Sequence, residues 1–319
     1  MRYRPLGKTG ITVSEIGFGA WGIGGWKPGQ LSYGLTDDAV SLAALDRAIE
    51  LGITFFDTSS IYGMGHSETL IGKALANRRD KVVIATKAGH VDHHNTDYSP
   101  DALWRSLEAS LVRLQTDYVD VLQLHGPEIE VLRDDPAIIR CLEQMQDQGM
   151  IRTYGLSANS PALAHAAVRE FGFPVIQANF NMLDIRAIEC GLFGIAQEQG
   201  VGLIARTPLN FGFLAGNILP DAIFSEQDHR SRFNGEQVQR WASLARIMLD
   251  IAKANTVESS VQTALRFCLS PPEVSVVIPG IMTPEEAETN AAAADQGPLL
   301  PEVYEKIISM NKNEKAIVR

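Results

Sequence analysis

The strongest constraint on this chain is a regular alternation of short apolar runs with longer stretches of helical spacing. Runs bounded by turn residues recur at Glu15–Ala20, Thr54–Phe56, Val82–Ala85, Tyr118–Leu124, Ile151–Leu156, Val175–Ala178, Val201–Ala205 and Val274–Ile278. Each has the length of a strand, and the segments between them read as helices. Several helix starts are marked by their chemistry. Ser99-Pro100, Ser160-Pro161 and Thr283-Pro284 each put an N-cap hydroxyl before a proline at the first helical position. Glu286 follows Thr283 by three residues, the spacing of a capping box. Thr36-Asp37-Asp38 sets a cap and two carboxylates at the positive end of the following helix dipole. Eight strand–helix units in a chain of 319 residues predict an α/β fold, a (β/α)8 TIM barrel. The competing arrangement is an open doubly wound sheet, which binds its nucleotide where the strand order reverses.

Two features stand outside the repeat. Tyr3–Val13 contains the turn Leu6-Gly7-Lys8-Thr9-Gly10-Ile11 between short extended pieces and predicts a hairpin covering one barrel end. Asn210–Gly235 is long, rich in Gly, Phe, Asp and Arg, and precedes an extra helix near Glu236–Ala254. A loop that long in a compact fold is usually functional. With no internal repeat, low-complexity tract or linker, residues 1–319 read as one barrel domain.

An apolar fraction of 45% and a charged fraction of 21% fit a globular protein with a substantial core. The apolar runs fall far short of a membrane span, and no apolar stretch follows Met1-Arg2-Tyr3-Arg4-Pro5 to make a secretory signal. A net charge of −10 argues against nucleic-acid or acidic-membrane partners, which need a basic field. Cys141, Cys190 and Cys268 are odd in number and far apart, with no C-x-x-C pair for zinc or redox work, and fit a reducing cytoplasm. The sequence sets no oligomeric state.

Gly17-Phe18-Gly19-Ala20-Trp21-Gly22 matches the dinucleotide fingerprint G-x-G-x-x-G. That fingerprint works because its third glycine opens a helix whose N-terminus holds the pyrophosphate. Here the chain continues Ile23-Gly24-Gly25-Trp26-Lys27-Pro28-Gly29, which is not expected to open one. The glycines, Gly19 among them, instead let the first strand–helix loop pass close to a ligand.

Chemistry concentrates at or just beyond three successive strand ends. Asp57 ends one run, with Tyr62 five residues later between Ile61 and Gly63; Lys87 ends the next, and His125 the third. Active sites of such barrels lie at this C-terminal rim. Singly, each residue has an ordinary structural reading. Together they make a proton-transfer device. Hydride reduction of a carbonyl needs a proton donor to the developing alkoxide, and a free tyrosine, at a pKa of about 10, is a poor one near neutrality. An ammonium from Lys87 stabilises the tyrosinate. Asp57 keeps Lys87 protonated and aimed, and a neutral His125 hydrogen-bonds the carbonyl oxygen.

These residues resemble the aldo-keto reductase family. Asp57-Thr58-Ser59-Ser60-Ile61-Tyr62-Gly63-Met64-Gly65-His66-Ser67-Glu68 is similar to its D-T-A-x-x-Y-G-x-G-x-S-E segment. Asp117-Tyr118-Val119-Asp120-Val121-Leu122-Gln123-Leu124-His125 is similar to its D-Y-[IV]-D-L-x-x-x-H strand. The likeness runs from Arg4-Pro5-Leu6-Gly7 to Ile278-Pro279-Gly280 and Asn290. It implies a (β/α)8 barrel and an extended nicotinamide dinucleotide, NADP or NAD, bound without a doubly wound domain. It further implies that Ser157, Asn159 and Gln177 bond the nicotinamide carboxamide, that Asn290 contacts the adenine, and that Pro279 and Gly280 line the adenosine site. Gly19, Trp21, Asp57, Thr207, Pro208, Leu209, Gly212 and Leu214 complete the expected cofactor surface.

The chain departs from the family at two places. Arg206 stands where many relatives stack an aromatic on the nicotinamide; a planar guanidinium can also stack. This resembles the bacterial and potassium-channel-related branches. After Pro279-Gly280, NADP-using relatives place basic residues and a serine near the 2′-phosphate, whereas this chain has Ile281-Met282-Thr283-Pro284-Glu285-Glu286. Glu286 aligns with a phosphate-clamping arginine, and a carboxylate suits a ribose 2′-hydroxyl better. The family favours NADP; Glu286 favours NAD.

The loops after strands one, three and seven are expected to shape the substrate pocket. They offer Trp21 and Trp26, then His90-Val91-Asp92-His93-His94-Asn95, then Asn210-Phe211, beside Tyr62 and His125. Three histidines within five residues in an irregular loop lack a settled ligand geometry, so no metal is assigned. A polar rim over a tryptophan floor suits a small carbonyl or alcohol such as a sugar or keto-sugar. Two other readings compete: a cofactor-sensing regulatory subunit, and a Schiff-base aldolase with Lys87 as nucleophile.

Overall fold

The computed structural model of the chain describes residues 1–26, 31–253 and 258–314. Strands β1 (Tyr3–Pro5) and β2 (Thr12–Ser14) form the expected antiparallel hairpin. Eight parallel strands follow: β3 (Phe18–Gly19), β4 (Phe55–Asp57), β5 (Val83–Ala88), β6 (Val119–His125), β7 (Ile151–Ser157), β8 (Val175–Asn179), β9 (Gly202–Arg206) and β10 (Val274–Ile278). They are hydrogen-bonded in sequence order, so the barrel prediction stands and the reversed order of a doubly wound sheet is absent. The first strand is much shorter than Glu15–Ala20. Its last residue and the residue before the strand join the seam, with Gly17 N–H on Val277 O at 2.8 Å and Gly19 N–H on Pro279 O at 2.9 Å. Glycine is required there: a Cβ on Gly19 would stand 2.7 Å from Pro279 O.

Helices α1 (Asp38–Glu50), α2 (His66–Leu75), α3 (Pro100–Leu114), α4 (Ile129–Asp134), α5 (Ala137–Asp147), α6 (Pro161–Phe171), α7 (Arg186–Glu189), α8 (Leu192–Gln199), α9 (Gly235–Lys253), α10 (Ser260–Leu269), α11 (Pro284–Gln296) and α12 (Pro301–Glu314) surround the strands. Helix α9 is the extra helix, and the expected end at Ala254 lies outside the described residues. The main core fills the space between strands and helices. Inside the barrel, Phe55, Val83, Ala85, Val121, Val175, Ile204, Val276 and Ile278 pack with Leu6, Ile11 and Val13 of the hairpin. The hairpin therefore plugs the end opposite the site, and burying Leu6 and Val13 there stabilises by about 1.5–3 kcal/mol each. None of the described helices is long and apolar enough to cross a membrane.

The caps follow the sequence in part. Ser160 accepts Leu163 N–H and Thr283 accepts Glu286 N–H, as expected. The Ser99 hydroxyl makes no cap bond; the Ser99 amide donates to Asp97 Oδ1 at 2.9 Å. Asp37, not Thr36, caps α1 by accepting the amides of Ala39 and Val40. The capping box at α11 is not closed: Glu286 Oε2 accepts Met282 N–H at 2.7 Å instead of the Thr283 amide. Ser259 and Gln262 make a closed box on α10, where none was expected. The G-x-G-x-x-G segment does start a single turn of 3-10 helix, Gly22–Gly24, contrary to expectation. It is too short to act as a pyrophosphate-binding helix, and Lys27-Pro28-Gly29 lies outside the described residues.

Candidate active site

Parallel pairing brings the ends of β4, β5 and β6 side by side, with Asp57 opposite Ala85 and Lys87 opposite Gln123. Lys87 does not end its strand, which runs on to Ala88 and buries the lysine in the barrel mouth. Its Nζ lies 2.5 Å from Asp57 Oδ1, 2.8 Å from Thr58 O and 3.2 Å from the Tyr62 hydroxyl. All three ammonium protons are placed. Burial alone would pull Lys87 down, but the charge of Asp57 and the Tyr62 hydroxyl outweigh it and hold the ammonium above its usual range. A lysine so held is a charged partner and not a free amine. Tyr62 reaches it from a tight turn in which Gly63, Met64 and Gly65 all take positive φ. A Cβ on Gly63 would run into Gly24 O at 2.2 Å, so the glycine lets this turn seat against the first strand–helix loop.

His125 ends β6, half-buried, with its ring 6.2 Å from that of Tyr62 and 4.6 Å from that of His90. Burial, then the charge of Lys87 with the neighbouring His90 and Arg206, push its pKa well below the usual imidazole value, so the ring is neutral. Tyr98 holds the backbone of His125 through a 2.6 Å bond to its carbonyl. The four residues expected to act together are brought together.

Two further neighbours, Gln123 and Ser59, complete the site. Gln123 Nε2 donates to Asp57 Oδ2 at 3.1 Å. The signal was available: Gln123 lies two residues before His125 and so shares its face of the strand. Ser59 Oγ lies 3.2 Å from His125 Nδ1.

Among the expected cofactor residues, Gln177 is buried with Nε2 on Asp57 Oδ2 at 2.7 Å and on Gln123 Oε1 at 3.1 Å. Its Oε1 accepts the Ser157 hydroxyl at 3.2 Å and keeps one lone pair. Asn159 gives Nδ2 to Gly126 O at 2.9 Å. The uncommitted lone pairs of Ser157, Asn159 and Gln177 are acceptors, which fits the NH2 donors of a carboxamide. Arg206, at the end of β9, donates to Ala158 O at 2.8 Å and so lies across from the Ser157–Asn159 turn.

The segment after β9 is tightly wound, with positive φ at Thr207, Asn210, Phe211 and Gly212. Asn210 is 2% exposed, and its Nδ2 has no partner among the described residues, which fits an oxygen-rich ligand such as a diphosphate. Thr207 bonds Asn179 Oδ1, Pro208 is buried and Leu209 half-buried. Leu214 departs from expectation: its side chain is fully buried and its amide is spent on Leu209 O, so it offers no donor to a ligand. Asn290 reaches Gly280 O at 3.4 Å, Pro279 lies in the barrel seam, and Glu286 sits exposed at the start of α11. Trp21 packs edge-on to Tyr33 and His229, joining the first loop to the long one, and Trp26 is half-buried beside it in sequence. Arg230 is locked onto Asp228 at 2.6 Å.

A closed barrel of this order, with a buried Asp–Lys–Tyr relay and a neutral histidine at its mouth, defines a class of carbonyl oxidoreductase. The sequence pattern described as the aldo/keto reductase family matches residues 15–312. The chain belongs to the aldo-keto reductase family, oxidoreductases that use NAD(P)H. It is 30% identical to a probable voltage-gated potassium channel subunit beta of Oryza sativa subsp. japonica, over 96% of this chain and 95% of that one. It is 29% identical to an NADH-specific methylglyoxal reductase of Escherichia coli (strain K12), over 92% and 93%. The holo form of an aldo-keto reductase from Bacillus halodurans superposes with a TM-score of 0.80 at 28% identity, covering 97% of this chain and 96% of that one.

Proposed function

We propose that the protein interconverts a small carbonyl compound and its alcohol, with Tyr62 as general acid and base. The observation that carries this is the contact of Tyr62 with a fully engaged Lys87 ammonium. When bound, the nicotinamide dinucleotide supplies the hydride that the carbonyl carbon takes up. Tyr62 gives its hydroxyl proton to the carbonyl oxygen, and Lys87 stabilises the tyrosinate that remains. Asp57 keeps Lys87 charged and aimed, and His125 donates a hydrogen bond to the same oxygen. Ser157, Asn159, Gln177 and Asn210 would hold the cofactor, with Arg206 beside the nicotinamide and Pro279, Gly280 and Asn290 at the adenosine end. A half-buried Trp21 and Trp26 with His90 line the substrate side and support a hydroxylated substrate such as a keto-sugar. We place the protein in the cytoplasm, in keeping with its three free thiols, and expect neither nucleic acid nor membrane as partner at its net charge of −10.

Oxidation of NADH and NADPH followed against a panel of aldehydes, ketones and keto-sugars tests this reading. Turnover on at least one carbonyl is expected. Tight cofactor binding with negligible turnover across the panel would favour a regulatory subunit. Borohydride trapping of an adduct at Lys87 without a nicotinamide requirement would favour an aldolase.

A further inference from the structure

Ser59 occupies the position of alanine in the family segment, and its side chain reaches the ring of His125. Ser59 is fully buried, with Oγ 3.2 Å from His125 Nδ1. The same oxygen also accepts the Ile61 N–H at 3.4 Å. A buried hydroxyl must place its own proton, and among the described residues His125 Nδ1 is the acceptor within its reach. A neutral imidazole that accepts at Nδ1 carries its proton on Nε2. We propose that Ser59 is a positioning residue that fixes His125 in the Nε2–H tautomer, so that the ring presents a donor to the substrate carbonyl oxygen. With alanine at 59, the ring is free to carry its proton on Nδ1, which leaves an Nε2 lone pair facing the carbonyl oxygen. The second bond to His125, from Tyr98 to its backbone carbonyl, fixes the strand end but leaves the tautomer unset. The inference rests on His125 serving as donor in the proposed reduction, yet the tautomer can be read without turnover.

The experiment is 15N NMR of histidine-labelled protein without cofactor or substrate. His125→Gln assigns the His125 signals among the seven histidines. The wild type is expected to show an unprotonated Nδ1 and a protonated Nε2. In Ser59→Ala those signals should move toward each other as both tautomers populate. The kcat for carbonyl reduction should fall by about 10–100-fold, the usual loss for an orienting partner, with KM little changed. Ser59→Thr, which keeps the hydroxyl, should restore the wild-type signals. A protonated Nδ1 in the wild type, or ring signals unchanged in Ser59→Ala, would overturn the proposal. Either result stands whether or not a substrate has been found, so it is separable from failure of the reductase reading.

Discussion

Asp57 is held at both oxygens, and the division matters. Oδ1 takes Lys87, while Oδ2 takes the amides of Gln123 and Gln177. A buried ion pair is costly unless its remaining lone pairs are satisfied, and the two glutamines satisfy them. Gln123→Leu keeps the bulk but removes one donor and the acceptor of Gln177. Leaving these buried groups short of a partner is expected to cost about 1–3 kcal/mol. A kcat lower by about 10–100-fold should accompany it, because Asp57 aims Lys87 less well. Thermal melts and steady-state kinetics check both; an unchanged kcat would show that Gln177 alone fixes the carboxylate. Asp57, Tyr62, Lys87 and His125 were legible in the sequence because each type has one obvious part in proton transfer and each falls near a strand end. Ser59 was not, because a serine takes its meaning from what it touches; Gln123 could be placed on the face of His125, but its partner Asp57 could not be read from the sequence.

At the scale of elements, the start of α11 decides how the adenosine end is charged. Glu286 accepts the Met282 amide and stays exposed, and positions 280–282 carry no basic side chain. A carboxylate beside a phosphate dianion is repulsive, whereas it accepts readily from a ribose hydroxyl. Arg230 is tied to Asp228 and Phe211 O, which removes one cation that could have replaced the missing clamp. NADH should therefore bind at least as well as NADPH, and Glu286→Arg should move the preference toward NADPH. Fluorescence titration of both cofactors at fixed ionic strength reads this. A wild-type preference for NADPH that survives Glu286→Arg but vanishes in Arg232→Ala would move the determinant to the long loop. Helix starts with a proline at the first position were readable in sequence, and Ser160 and Thr283 cap as expected, but not every capping side chain follows. Ser99 makes no side-chain cap bond and gives its amide to Asp97, and Glu286 accepts the Met282 amide. The long segment 210–235 was recognisable as an insertion. That it folds into two 3-10 turns around Phe211, His229, Phe233 and Trp241 depends on aromatic contacts with no sequence period.

For the whole molecule, alternation of strand and helix gave eight strand–helix units, a number that favoured a barrel over an open doubly wound sheet. Closure itself was not legible. It depends on Gly19 passing against Pro279 O and on a first strand of two residues. Nor could sequence order foresee that Gln177, 120 positions away, would meet Asp57. Barrel closure makes that contact by turning the inward faces of all eight strands toward one axis. The central claim is that this convergence makes Tyr62 the proton donor of a nicotinamide-dependent reduction. The direct measurement is turnover of Tyr62→Phe on the best carbonyl of the panel, with cofactor affinity titrated on the same sample. The account predicts a fall in kcat of about two to four orders of magnitude with cofactor affinity little changed. Near-normal turnover in Tyr62→Phe, with cofactor binding intact, would contradict it.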